Sequence, residues 1–156
     1  MSDQSNITPI ICWWLSEDTT IAAKVLQADG SPAIIPGYQI TLADGYLNPT
    51  LNPSKTCIGV YEISVTEAVS CFYNGNPSLK SDCLIGIEVI SRESNAYARE
   101  TAVLIANKLQ ANMAVTYGGE AYDFMVWSIS RTPQYDDAGN FWRQIMTVRG
   151  TIYYTI

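Results

Sequence analysis

An α+β fold, an antiparallel or mixed β-sheet with one helix across a face, is predicted by three observations. Met146, Val148, Ile152, Tyr154 and Ile156 alternate with Thr147, Arg149, Thr151 and Thr155, the period-two signature of a strand with one buried face. Ala98, Ala102, Ile105 and Leu109 fall on one stripe of a 3.6-residue period, the signature of a helix with one buried face. Turn formers at Asn74-Gly75-Asn76-Pro77, Gly118-Gly119 and Asp136-Asp137-Ala138-Gly139-Asn140 separate runs rich in β-branched and aromatic residues.

The elements follow in chain order. Ile11, Trp14, Leu15, Ile21, Val25 and Leu26 recur at helical spacing between Ile7 and Ala28, giving a helical segment in two parts. Ser16, followed by Glu17 and Asp18, is placed to start the second part, because acidic groups favour the positive end of the helix dipole. Asp29-Gly30-Ser31-Pro32 ends it. Ala33 to Lys55 is dense in Pro36-Gly37, Asp44-Gly45, Asn48-Pro49 and Asn52-Pro53, which leaves room for at most one short strand near Tyr38 to Leu42. Thr56 to Val65 and Ser81 to Ile90 read as an antiparallel strand pair. Asn95 to Gln110, capped by Ser94, reads as a helix about 24 Å long. Phe124 to Arg131 and Trp142 to Ile156 form a closing hairpin. Its last strand from Gln144 would stretch about 43 Å, so its end or the hairpin tip is expected to project.

A chain of 156 residues is long enough to bury one core without metals or staples, and a single domain over residues 1–156 is expected. The composition is 47% hydrophobic and only 15% charged, so part of the surface is expected to meet partners. A net charge of -6 with scattered basic residues argues against a nucleic-acid grip, which needs clustered Lys and Arg. Cys12, Cys57, Cys71 and Cys83 show no CxxC spacing and read as small hydrophobes in a reducing compartment. Neither a basic leader nor a membrane-length apolar run is present, and the protein is expected to be cytosolic when made. Asn6-Ile7-Thr8 fits a glycosylation sequon by pattern alone.

Chemistry is sparse. With zero histidines, the commonest general base and metal ligand is missing, and neither cofactor nor metal is expected. Glu62 and Glu88, on strands expected to be neighbours, form the one carboxylate pair that a glycosidase-like reading would use. Asp136-Asp137-Ala138-Gly139-Asn140 lacks the ligand spacing of a calcium loop and reads as a hairpin loop. Trp14 and Trp127 read as core, and Trp142 as core or interface. Tryptophans on a β-rich platform also leave a sugar-binding module open.

The ordered pattern resembles the tail terminator and tail completion proteins of tailed bacteriophages. The matching parts are Ile7 to Ala28, Cys57 to Val65, Cys83 to Ile90 running through Ser91-Arg92-Glu93-Ser94 into the helix to Leu109, and the closing hairpin Phe124 to Ile156. The passage Asp136 to Arg143 resembles the acidic, glycine-bearing loop and aromatic-basic start of that family's last strand. The resemblance implies a non-enzymatic virion protein in a ring, usually of six copies. Its partners would be the tail tube protein and a head-side connector, with DNA passing through the ring without specific binding. Another neck or tube component has much the same sequence order. A closed ring needs unlike patches that fit each other, and Asp136, Asp137, Phe141, Trp142 and Arg143 are the expected contacts, with Asn48 and Pro49 as a second set.

Overall fold

The computed structural model describes residues 7–27, 30–36, 56–136 and 141–155. Among these residues, three helices, α1 (Ile7–Ser16), α2 (Thr19–Lys24) and α3 (Asn95–Gln110), accompany seven strands. The strands are β1 (Ile34–Pro36), β2 (Cys57–Val65), β3 (Val69–Tyr73), β4 (Asn76–Ser91), β5 (Met113–Tyr117), β6 (Glu120–Asp136) and β7 (Phe141–Thr155). They form one mixed, curled sheet in the order β1-β2-β4-β7-β6-β5, so the α+β class holds. β1 pairs parallel with β2, and every other pairing is antiparallel. β3 continues β2 along the same side of β4, with Thr66 N–H donating to the Asp82 carbonyl at the step between them.

The two sheet faces follow from the register. Cys83, Ile85, Ile87 and Val89 of β4 share a face with Met146, Val148 and Ile152 of β7, Phe124 of β6, and Ile58 and Val60 of β2. All are buried, and they join the buried residues of α1 and α3 in one cluster. α3 lies against β4, β6 and β7. Its buried stripe is Ala98, Thr101, Ala102, Ile105 and Leu109, which contains the four residues that the spacing predicts. Ser94 Oγ accepts from Tyr97 N–H at 3.0 Å, capping the helix where the sequence places the cap.

Close approach explains one glycine. Tyr61 stands opposite Gly86, and a Cβ added to Gly86 would lie 2.3 Å from the Tyr61 ring. The ring lies over the strand where any side chain would block it.

Several expectations are corrected. The second helix is capped by Asp18, not started at Ser16: Asp18 Oδ1 accepts from Thr20 and Ile21 N–H at 3.0 and 3.1 Å, while Ser16 Oγ donates to the Trp13 carbonyl. A carboxylate out-competes a hydroxyl as an acceptor for free helix N–H groups. β1 and β3 are strands beyond those expected: β1 lies beside Pro36-Gly37, and β3 lies in the stretch between Val65 and Ser81 that reads as a connection. Residues 132–136, read as loop, extend β6. The long hairpin does not project beyond the sheet, because β4 is equally long and its ladder with β7 reaches Ser91↔Trp142, one pair short of the Asp136↔Phe141 tip. Thr151, expected on the wet face, is buried and donates to Asp82 Oδ1 at 2.9 Å. Trp127 is 59% exposed, because the ladder shifts register between Val126 and Ser128 and turns it out of the core face. The expected strand near Tyr38 to Leu42 lies outside the described residues.

Candidate assembly interface

β6 has two very different halves. Its first residues are paired on both sides, since β5 runs from Met113↔Phe124 to Tyr117↔Glu120. Asn112, in the left-handed region at φ 61, then closes that ladder by accepting from Val126 N–H at 3.0 Å. From Trp127 to Tyr135 no described strand lies against the outer edge of β6. Apart from half-buried Ile129, these residues are exposed. A strand edge of this length offers its backbone groups to another chain. Pro133 withholds one donor along it.

At the far end of that edge, Tyr135 and Trp142 are cross-strand partners with ring centroids 5.2 Å apart. With Asn95, Pro133 and Gln134 they line an open cavity of about 240 Å³. Beneath it, on the opposite face, Arg143 Nε lies 2.6 Å from Glu88 Oε1, and the Arg143 guanidinium sits 5.2 Å from the Phe141 ring centre. Burial pushes the Glu88 carboxyl up, and the Arg143 charge partly offsets this.

The other side of the sheet carries the counterpart. β3 pairs with β4 only, and no described strand covers its outer edge. Asn74 and Gly75, both at positive φ (52° and 77°), make the tight turn into β4. Phe72 is 80% exposed, and Val69 beside it is 51% exposed. Tyr73 is held from the other face by a parallel stack on Tyr153, centroids 4.0 Å apart.

The expected contact residues divide accordingly. Trp142 and Arg143 are half-buried at the hairpin end, and Phe141 is wholly buried, presenting no surface. Asp136 closes the β6–β7 ladder opposite Phe141. Asp137, Asn48 and Pro49 lie outside the described residues. Sequence reasoning missed Phe72 and Tyr135; the Asn74-Gly75 dipeptide after a β-branched and aromatic run was the available signal for a hairpin there.

The chemical alternatives lose their geometry. Glu62 stands opposite Ile85 and Glu88 opposite Gly59, so the register puts the two carboxylates on opposite sheet faces, where they cannot flank one bond. Among the described residues, no group of three or more His, Cys, Asp or Glu side chains converges as a metal site. The tryptophans are dispersed: Trp13 leans on Tyr117, Trp14 lies under Lys108 Nζ at 4.6 Å, Trp127 sits at the β6 bulge and Trp142 on Tyr135. Among the described residues, no helix is long and apolar enough to cross a membrane.

No protein-family model matches the chain, and no curated protein matches it by sequence. Among solved structures, a chain described as the virion of a native gene transfer agent particle superposes with a TM-score of 0.51. The match covers 97% of this chain and 99% of that one, at 12% identity. A second solved chain aligns over 99% of this chain and 98% of its own, at TM-score 0.49 and 12% identity. The first likeness shows a shared fold; the second supports nothing further.

Proposed function

We propose that this chain is a structural virion protein, a tail-terminator-like subunit that closes into a ring, usually of six copies, on the end of a tail tube. The observation that carries the reading is the end-to-end fold likeness to a chain of a gene transfer agent virion, 97% of one against 99% of the other. Two further features support it. Closed rings are built from unlike patches on one subunit, and no described strand covers the outer edge of β3 or of the second half of β6, two unlike strands. The net charge of -6 suits a lumen through which DNA slides without being held.

In this reading the partners are further copies of the chain, the tube protein below and a head-side connector above. The Tyr135–Trp142 end of the long hairpin, with Arg143 and the adjoining residues 136 and 137, serves contact, and residues 48 and 49 serve a second contact. The ring is assembled in the host cytoplasm and ends in the virion. Its work is positional: it terminates polymerisation by offering an end unlike the tube subunit's own, and the chain is one domain with no reaction to catalyse.

The test is the solution mass by light scattering over a wide concentration range. A plateau at a fixed multiple of the 17.2 kDa chain, six being expected, supports a closed ring. Open-ended growth would point to a tube subunit instead, and a monomer at every concentration would sink self-closure.

A further inference from the structure

We infer that the ring interface is a strand addition in which β3 of one copy pairs with the open edge of β6 in the next, seating Phe72 against Tyr135 and Trp142. This rests on the ring reading above. Direction is the first argument. β3 runs antiparallel to β4, β4 to β7 and β7 to β6, so β3 runs opposite to β6. A neighbour related by rotation, with its sheet continuing this one, therefore brings β3 alongside β6 as an antiparallel pair, the more stable arrangement per residue.

Facing is the second argument, and it is independent of the first. Phe72 stands opposite Pro77, which shares the face of Leu79 and hence of Tyr154 and Tyr122. Tyr135 stands opposite Trp142, which stands opposite Ser91, again on that face. Continuing the sheet from copy to copy keeps faces together, so Phe72 arrives on the side where the Tyr135–Trp142 cavity opens. A one-residue difference in either register would have sent it to the other face.

Size is the third. With Phe72 opposite Pro133, which lines the cavity beside Tyr135 and Trp142, the five residues of β3 lie along residues 132–136 of β6, and the cavity of about 240 Å³ admits an aromatic side chain. Phe72 is 80% exposed in the single chain, and burying it removes a large apolar side chain from water at each interface. Pro133 interrupts the backbone ladder at one position, so the aromatic contact carries much of the pairing. β3 lies level with Tyr122 on β6, at the opposite end from Tyr135. Each copy is therefore stepped along the strand direction, and closure requires strands inclined to the ring axis, as in a barrel.

The experiment uses two single variants of the full chain, Phe72→Asp and Tyr135→Asp, and measures mass alone and mixed. Both sites are solvent-exposed, and circular dichroism checks that the fold survives. Each variant alone is expected to associate at least tenfold more weakly than the unaltered chain. Mixed one to one, they form a dimer and nothing larger, because one intact β3 meets one intact β6. Variants that keep the unaltered mass overturn this interface while leaving the ring standing. An unaltered chain that is monomeric throughout overturns both.

Discussion

Arg143 Nε lies 2.6 Å from Glu88 Oε1 across a diagonal of the β4–β7 ladder, with both side chains largely removed from water. A pair in this position is costly to split and cheap to replace, because each charge depends on the other for its desolvation. Arg143→Met should lower stability at neutral pH by about 3–5 kcal/mol. Glu88→Gln with Arg143→Met together should be near neutral or stabilising. Chemical denaturation of the three proteins measures this.

The same carboxyl sets a pH dependence. Burial raises its folded value, so its contribution to stability is present below the unfolded carboxylate value and is lost as pH rises through the folded one. Removing Arg143 deletes the opposing charge, so the penalty of Arg143→Met should shrink as the solution is acidified and Glu88 takes up a proton. A penalty that stays flat across that range would mean Glu88 is hydrated.

Asp18 works with the opposite sign. The N–H of Ile21 first, then Lys108 and Thr20, hold its carboxyl below the ordinary value against the opposing effect of desolvation. Its contribution is full above the unfolded value and is lost as pH falls through the folded one. Asp18→Ala should cost about 1 kcal/mol at pH 7, the usual worth of a helix cap, and the difference should shrink in acid as the carboxylate loses its charge. Asp18→Asn keeps the cap and loses only the Lys108 contact at 3.4 Å, so its cost should be smaller. Paired thermal melts at both pH values read this out.

Thiol chemistry should be selective. Burial pushes the Cys12 and Cys83 thiols up to about 12 and Cys57 up to about 11, whereas Cys71 on β3 is only half-buried. A thiol reagent at pH 8 should label one group per native chain, Cys71, and all four only after unfolding. Labelling of a second thiol in the native chain would contradict the packing of α1, for Cys12, or of the β2–β4 pair, for Cys57 and Cys83.

Periodicity made much of this architecture legible. The stripe of α3, its Ser94 cap and the core face of β7 from Met146 to Tyr154 are local patterns, and each stands where the sequence puts it. Pairing over distance was not legible. Nothing in residues 132–136 distinguishes a loop from a strand until β7 is present to pair with them, and Pro133 argues against a strand except at an edge. Trp127 reads as core by composition and is exposed because of a bulge, a feature of two strands together. The candidate interface was half visible: Trp142 and Arg143 announce themselves beside a glycine-bearing loop, while Phe72 matters through its side of the sheet, which only the register of β3 against β4 reveals.

Amide hydrogen exchange, compared between dilute and concentrated protein, tests most directly whether the two open edges build the assembly. The account predicts that concentration slows exchange in residues 69–73 and 132–136 together, with the central β4 and β7 amides unchanged. Slowing confined to other segments, or exchange at these two edges that is indifferent to concentration while the mass rises, would contradict it.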